Sequence, residues 1–126
     1  MQGLRQKIRR FKNCFVFLQQ NKRIMYGLTD RSHKELLEIL SSIPEIEEIL
    51  IYGSRTRGDF WRASDVDLSI KGEKVVRHTL ALLNDKLYES HIPQIFDTHI
   101  YSAIKNQNFK NNVDRDGKVI YRRAGI

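Results

Sequence analysis

The chain has 126 residues, enough for one domain with one hydrophobic core and too few for two of ordinary size. Its hydrophobic share of 40% and charged share of 29% are those of a globular protein, and no apolar run approaches the roughly 20 residues that cross a bilayer. The single cysteine, Cys14, excludes an internal disulfide and a cysteine-built zinc site; the N-terminus has no apolar leader with a small-residue cleavage site, so a reducing cytoplasm is the expected location.

The net charge of +7 invites a nucleic-acid or acidic-membrane partner, but its distribution argues against both. Residues 1–24 carry seven basic groups (Arg5, Lys7, Arg9, Arg10, Lys12, Lys22, Arg23) and no acidic ones. Of 22 basic residues, 15 are therefore left to balance 15 acidic ones over residues 25–126. Leu4, Ile8, Phe11, Phe15 and Leu18 recur at helical spacing, so residues 3–20 read as a basic amphipathic helix. Three readings stay open for this extension: a helix packed on the domain or a partner chain, a membrane-surface or nucleic-acid arm, or a segment upstream of a natural start at Met25. The expected organisation is a helical extension over 1–24 and one catalytic domain over 25–126.

Thr29 or Asp30 can cap a helix with Leu36, Leu37 and Leu40 as its apolar stripe, closed by Pro44. Ile49 to Tyr52 is a short apolar run stopped by Gly53, the pattern of a buried strand. Gly53 to Gly58 is an arginine-rich, glycine-bounded turn. Val66 to Ile70 alternates with Asp65, Asp67 and Ser69, as a half-buried strand does. Val76, Leu80, Leu83 and Leu87 predict a helix across 74–89, Gln94 to Thr98 a strand, Asn106 to Val113 a weak helix, and Asp116-Gly117 a turn before a strand over Lys118 to Tyr121. The fold class is α+β, with helices flanking one small mixed sheet.

The chemistry concentrates at two places. On a strand, Asp65 and Asp67 project to one face while Val66 and Leu68 face the core. Adjacent carboxylates repel, and a divalent ion between them removes the conflict. Magnesium fits best, because one or two carboxylates plus substrate phosphates commonly hold it. Alone, Asp-x-Asp is equally compatible with a solvated strand edge. Gly53-Ser54 lies eleven residues earlier, where a strand ends and a helix starts; free N–H groups at such a start bind phosphate. Alone, that too is an ordinary turn. Together the two form a far more specific pattern.

Gly53-Ser54-Arg55-Thr56-Arg57-Gly58 followed by Ser64-Asp65-Val66-Asp67-Leu68 resembles the signature of minimal nucleotidyltransferases (MNT) in the polymerase-β superfamily, Gly-Ser, ten residues, Asp-x-Asp. The resemblance spans roughly residues 25–123 and implies the single-domain nucleotidyltransferase fold. It implies a third carboxylate on a later strand, a place matched by Asp97 in Gln94-Ile95-Phe96-Asp97-Thr98. Asp97 sits between apolar residues, where an unpaired buried charge is costly unless a metal or a proton justifies it; the alternative, less favoured, is an exposed Asp on an edge strand. Phosphoryl transfer from ATP would then rest on positioning and charge stabilisation, with two magnesium ions clamping the attacking oxygen of the acceptor and the leaving oxygen of the pyrophosphate. Asp65, Asp67 and Asp97 would be catalytic and metal-binding, and Gly53, Ser54, Arg55 and Arg57 would hold the nucleotide. Either arginine is as readily spent on Asp59 or solvent.

Standalone domains of this size resemble the antitoxin half of MNT–HEPN toxin–antitoxin pairs, which implies AMP transfer from ATP to a tyrosine hydroxyl of a HEPN toxin. Two alternatives are a transferase for a small hydroxylated molecule, for which little chain is left to build an acceptor site, and a non-catalytic module that neutralises a partner. Trp61, between the motifs, is a candidate contact to substrate or partner. Tyr101 reads as a core or rim residue and His99 as a bystander beside Asp97. A homo- or hetero-oligomer is compatible with all of this.

Overall fold

The computed structural model describes residues 25–61 and 63–125. The expected basic helix over 3–20, and with it the 1–24 extension, lies outside the described residues. The chain divides into two compact units, residues 1–34 and 35–126. In the first, Met25 and Leu28 exchange backbone hydrogen bonds of 3.2 and 2.9 Å around a tight turn. The hydroxyl of Thr29 then accepts the Ser32 N–H at 3.1 Å, capping helix α1, Asp30–Ser41.

The second unit is built on a four-stranded sheet. Its strands are β1 (Glu48–Tyr52), β2 (Val66–Lys71), β3 (Phe96–Ile100) and β4 (Lys118–Arg122), in the spatial order β3-β2-β1-β4. β1 pairs antiparallel with both β2 and β4, while β2 and β3 run parallel. The expected mixed sheet is present, with β3 at one edge.

Register explains the core. Ile49 stands opposite Ile70 and Ile51 opposite Leu68, so these four share one sheet face with Val66, and all five are fully or almost fully buried. Each such side chain removed from water contributes about 1.5–3 kcal/mol. Leu36 and Leu40 of α1 are buried, as the apolar stripe predicts, and so are Leu83 and Leu87 of helix α3, Arg77–Tyr88. α3 lies along β3, where the Thr98 hydroxyl donates to Asn84 Oδ1 at 2.7 Å.

The opposite face carries Leu50, Tyr52, Asp67, Ser69, Asp97 and His99. Helix α4, Gln107–Asp116, covers part of it: Val113 packs with Leu50 and Tyr52, joined by Tyr101 and Ile104.

Three predicted boundaries move, each for a local reason. α3 starts at Arg77 rather than 74, because Gly72 passes so close to the Glu45 carbonyl that a Cβ would stand 2.5 Å from it, and a turn closes from Val75 N–H to the Gly72 carbonyl. The third strand lies two residues later than Gln94–Thr98, since pairing along β2 runs from Phe96 to Ile100. Asp116-Gly117 is a helix end instead of a free turn: α4 runs to Asp116, and extended Gly117 leads directly into β4.

Candidate active site

The site stands where β1 ends and β2 begins. Tyr52, last in β1, is opposite Asp67, and on the other side Asp67 is in register with Asp97 of β3. Neighbouring strands lie ~4.8 Å apart, so the two carboxylates are side by side. Asp65 precedes β2 and shares the face by alternation. Asp97 is not in the buried apolar setting that its sequence neighbours suggest. Asp97 is exposed on an edge strand, and its apolar neighbours alternate to the other face. Its company is Asp67 rather than the core.

Gly53 makes the close approach possible. It adopts φ 81° and ψ −149°, a region nearly restricted to glycine. A Cβ at this position would lie 2.5 Å from Asp67 Oδ2. The glycine thus brings bare backbone against the carboxylate. A one-turn helix, α2, Ser54–Arg57, follows and ends at Gly58 in the left-handed conformation, so the helix start expected at Ser54 is present. The Gly53 carbonyl accepts the N–H groups of Thr56 and Arg57 at 3.1 Å. The Ser54 hydroxyl is half-buried and has no partner among the described residues.

The two arginines part company. Arg55 is buried, 3% exposed; its Nη2 donates to the Ser64 carbonyl at 2.6 Å and its Nε to the Asp65 carbonyl at 3.4 Å, with the guanidinium 4.9 Å from the Phe60 ring centre. Its donors therefore face the loop entering β2. Arg57 is half-exposed at the rim, 3.3 Å from Asp59 and 3.4 Å from Asp116.

Electrostatics mark Asp67 as the strained member. Burial pushes its carboxyl above the ordinary value, and the charges of Asp97 and Asp65 push it further; Arg57 and Arg55 offset only part. Burial likewise raises the Tyr52 phenol, helped by Asp67 and Asp97. In the sequence Tyr52 shows only as the end of an apolar run, although its place just before Gly53 puts it on the carboxylate face. Its hydroxyl shares a 3.3 Å hydrogen bond with His99 Nδ1, and His99 Nε2 is buried with no partner among the described residues. Burial lowers the His99 imidazole against the pull of Asp97. Phe109 packs on both rings, at 5.9 Å from Tyr52 and 5.3 Å from His99. Tyr101 lies beyond this cluster: its hydroxyl donates to Asp114 at 2.6 Å, and the ammonium of Lys71 stands 4.4 Å from its ring centre. Trp61 is 81% exposed on the loop between the motifs.

Among the described residues no three acidic, histidine or cysteine side chains converge tightly enough to coordinate an ion by themselves. The donor set nonetheless suits magnesium: oxygen donors only, and one carboxylate pushed above its ordinary value by burial and by the acidic neighbours beside it. Among the described residues no helix is long and apolar enough to cross a membrane.

A Gly-Ser turn between two antiparallel strands, with carboxylates gathered from β2 and its parallel neighbour, defines a nucleotidyltransferase domain. Residues 34–125 match the profile of the family described as polymerase beta, nucleotidyltransferase, and the chain belongs to that family and to its class of enzymes. It is 29% identical over 97 residues to a Methanocaldococcus jannaschii protein, MJ0604, provisionally named a protein adenylyltransferase; the match covers 73% of this chain and 97% of that protein. The same fold occurs in a toxin–antitoxin crystallised with AMP-PNP, at TM-score 0.59 and 18% identity, covering 73% of this chain and 74% of the other. The MntA-HepT toxin–antitoxin also shares it, at TM-score 0.55 and 15% identity, with 75% and 74% covered.

Proposed function

We propose that this protein is a magnesium-dependent adenylyltransferase that transfers AMP from ATP to a tyrosine hydroxyl of a HEPN toxin partner and thereby acts as its antitoxin. The observation that carries the transfer chemistry is the in-register placement of Asp67 beside Asp97, with Asp65 on the same face and Gly53 pressed against Asp67. Support for the acceptor comes from the relatives: one named for protein adenylylation, and toxin–antitoxin structures that share the fold, one of them crystallised with an ATP analogue.

The residues divide the work. The Gly53-Ser54 turn receives triphosphate oxygens, since a backbone without a side chain lets them approach and Ser54 adds a hydroxyl with no partner among the described residues. Asp65 and Asp67 would hold magnesium, with Asp97 completing the set of carboxylates. When bound, magnesium neutralises the carboxylates and eases ionisation of the acceptor hydroxyl. Asp97, exposed at the sheet edge, is placed to accept that proton from a group arriving from outside the domain. The acceptor oxygen bonds to the α-phosphorus as pyrophosphate leaves. Arg57, itself half-exposed at the rim, would have to leave both Asp59 and Asp116 to reach the triphosphate; its pair with exposed Asp59 is held weakly.

Labelled ATP incubated with this protein, magnesium and a HEPN partner tests the reading. Label should reach the partner's tyrosine with the intact protein and fall on the order of a hundredfold or more with Asp67→Asn. Equal labelling by the two would refute it, and label passing only to small hydroxylated molecules would replace the acceptor.

A further inference from the structure

We infer that Arg55 is a positioning residue, whose buried guanidinium aims the carboxylate of Asp65 by clamping the backbone at the entrance to β2. The inference rests on the reading of Asp65 as a metal-binding carboxylate.

Asp65 needs such a device. β2 begins at Val66, which is the first residue in register with β3, and the pairing with β1 ends at Asp67. Asp65 is thus outside the sheet ladder on both sides. The loop delivering it crosses from Gly58 with a local tie, between Trp61 and Ser64, and the first sheet contact after it is Val66 N–H to the Ile95 carbonyl at 2.8 Å. Into this gap Arg55 extends two donors of one planar group, to the carbonyls of Ser64 and Asp65. A guanidinium fork fixes two acceptors at once and so sets the peptide plane between them. The Phe60 ring, 4.9 Å from its centre, backs the fork, and burial to 3% exposure leaves little freedom to swing. Arg55 follows Ser54 in the turn that faces the nucleotide, so one short segment both borders the phosphates and sets the direction of the first carboxylate.

The test compares Arg55→Lys, Arg55→Ala and Asp65→Asn in the full chain. Lysine keeps a cation but cannot reach two carbonyls in a fixed plane. Manganese affinity is read by electron paramagnetic resonance in the presence of an ATP analogue with a methylene α–β bridge, and affinity for that analogue without divalent ions by calorimetry. Arg55→Lys should lower manganese affinity by about 10–100-fold, as loss of a supporting partner does, while leaving metal-free nucleotide affinity nearly unchanged. Added guanidinium should restore manganese affinity to Arg55→Ala; if that variant does not fold, Arg55→Lys decides alone. A fall in metal-free nucleotide affinity in Arg55→Lys, matching the fall for manganese, would make Arg55 a phosphate contact and overturn the inference. Intact manganese affinity in Arg55→Lys, with affinity lost in Asp65→Asn, overturns the role of Arg55 alone. Intact affinity in Asp65→Asn overturns the metal role of Asp65 beneath it.

Discussion

Replacing Gly53 with alanine probes the approach on which the site depends. Two costs can be worked from the structure. The backbone at φ 81° and ψ −149° is closed to a residue with a Cβ, which costs about 1–3 kcal/mol if the conformation is kept. At about 4 °C per kcal/mol for a domain near this size, Tm should fall by roughly 4–12 °C. The second cost is local to the chemistry. The new methyl would stand 2.5 Å from Asp67 Oδ2, whereas ordinary contact begins near 3.4 Å, so the carboxylate must retreat by close to 1 Å. A misplacement of about 1 Å in a reacting constellation costs about a hundredfold in rate. Melting curves and label transfer from ATP, measured on the same preparation below its Tm, separate the two effects. An unchanged Tm refutes the backbone argument. A lowered Tm with unaltered turnover refutes the claim that Asp67 must sit against a bare backbone.

Asp67→Asn should raise Tm at pH 7 in the absence of divalent ions. The folded carboxyl is held above its ordinary value, so the share of stability present below the ordinary carboxylate range is lost as pH rises through the folded value; asparagine never incurs that loss, and the advantage should vanish near pH 3. Melts in chelator at both pH values check this, and a less stable variant at pH 7 would contradict it. Leu68→Ala removes a fully buried side chain from the strand that carries Asp67, and denaturant titration should show a loss of about 2–5 kcal/mol. Asn106→Ala should cost about 1 kcal/mol by the same titration, because the Asn106 side chain accepts the Phe109 N–H at 3.0 Å and so caps α4.

Much of this was legible because two periodicities carry it. The apolar run at 49–52 and the alternation at 65–70 gave both central strands nearly to the residue, and Gly-Ser to Asp-x-Asp spacing followed from the turn that joins them. What escaped depends on pairing, which no single segment encodes. The partner of Asp67 is set by register with β3, so a strand misplaced by two residues hid the pairing of Ser69 with His99 while leaving Asp97 in view. The exposure of Asp97 on an edge strand is the less favoured sequence reading for the same reason. Its apolar neighbours suggest a buried setting until one knows that β3 is an edge, where alternate residues meet water. Arg55 and Arg57 look interchangeable in the sequence, yet a single turn of helix sends one inward and the other to the rim.

That division has a consequence for how the site can exist without its ligands. Three carboxylates on one face of adjacent strands should push the strands apart, and β3 is free to leave because it is an edge. The fold opposes this by placing the repulsion at the ends of the strands, while the face behind them holds Val66, Leu68 and Ile70 in the core. A buried cation, Arg55, lies close enough to offset part of the charge on Asp67 and Asp65. The remainder of the repulsion is left unrelieved, so binding of magnesium and nucleotide should stabilise the domain beyond their contact energy. A rise in Tm on adding magnesium and nucleotide would separate these carboxylates from a decorated strand edge, and no rise would refute the relief of repulsion.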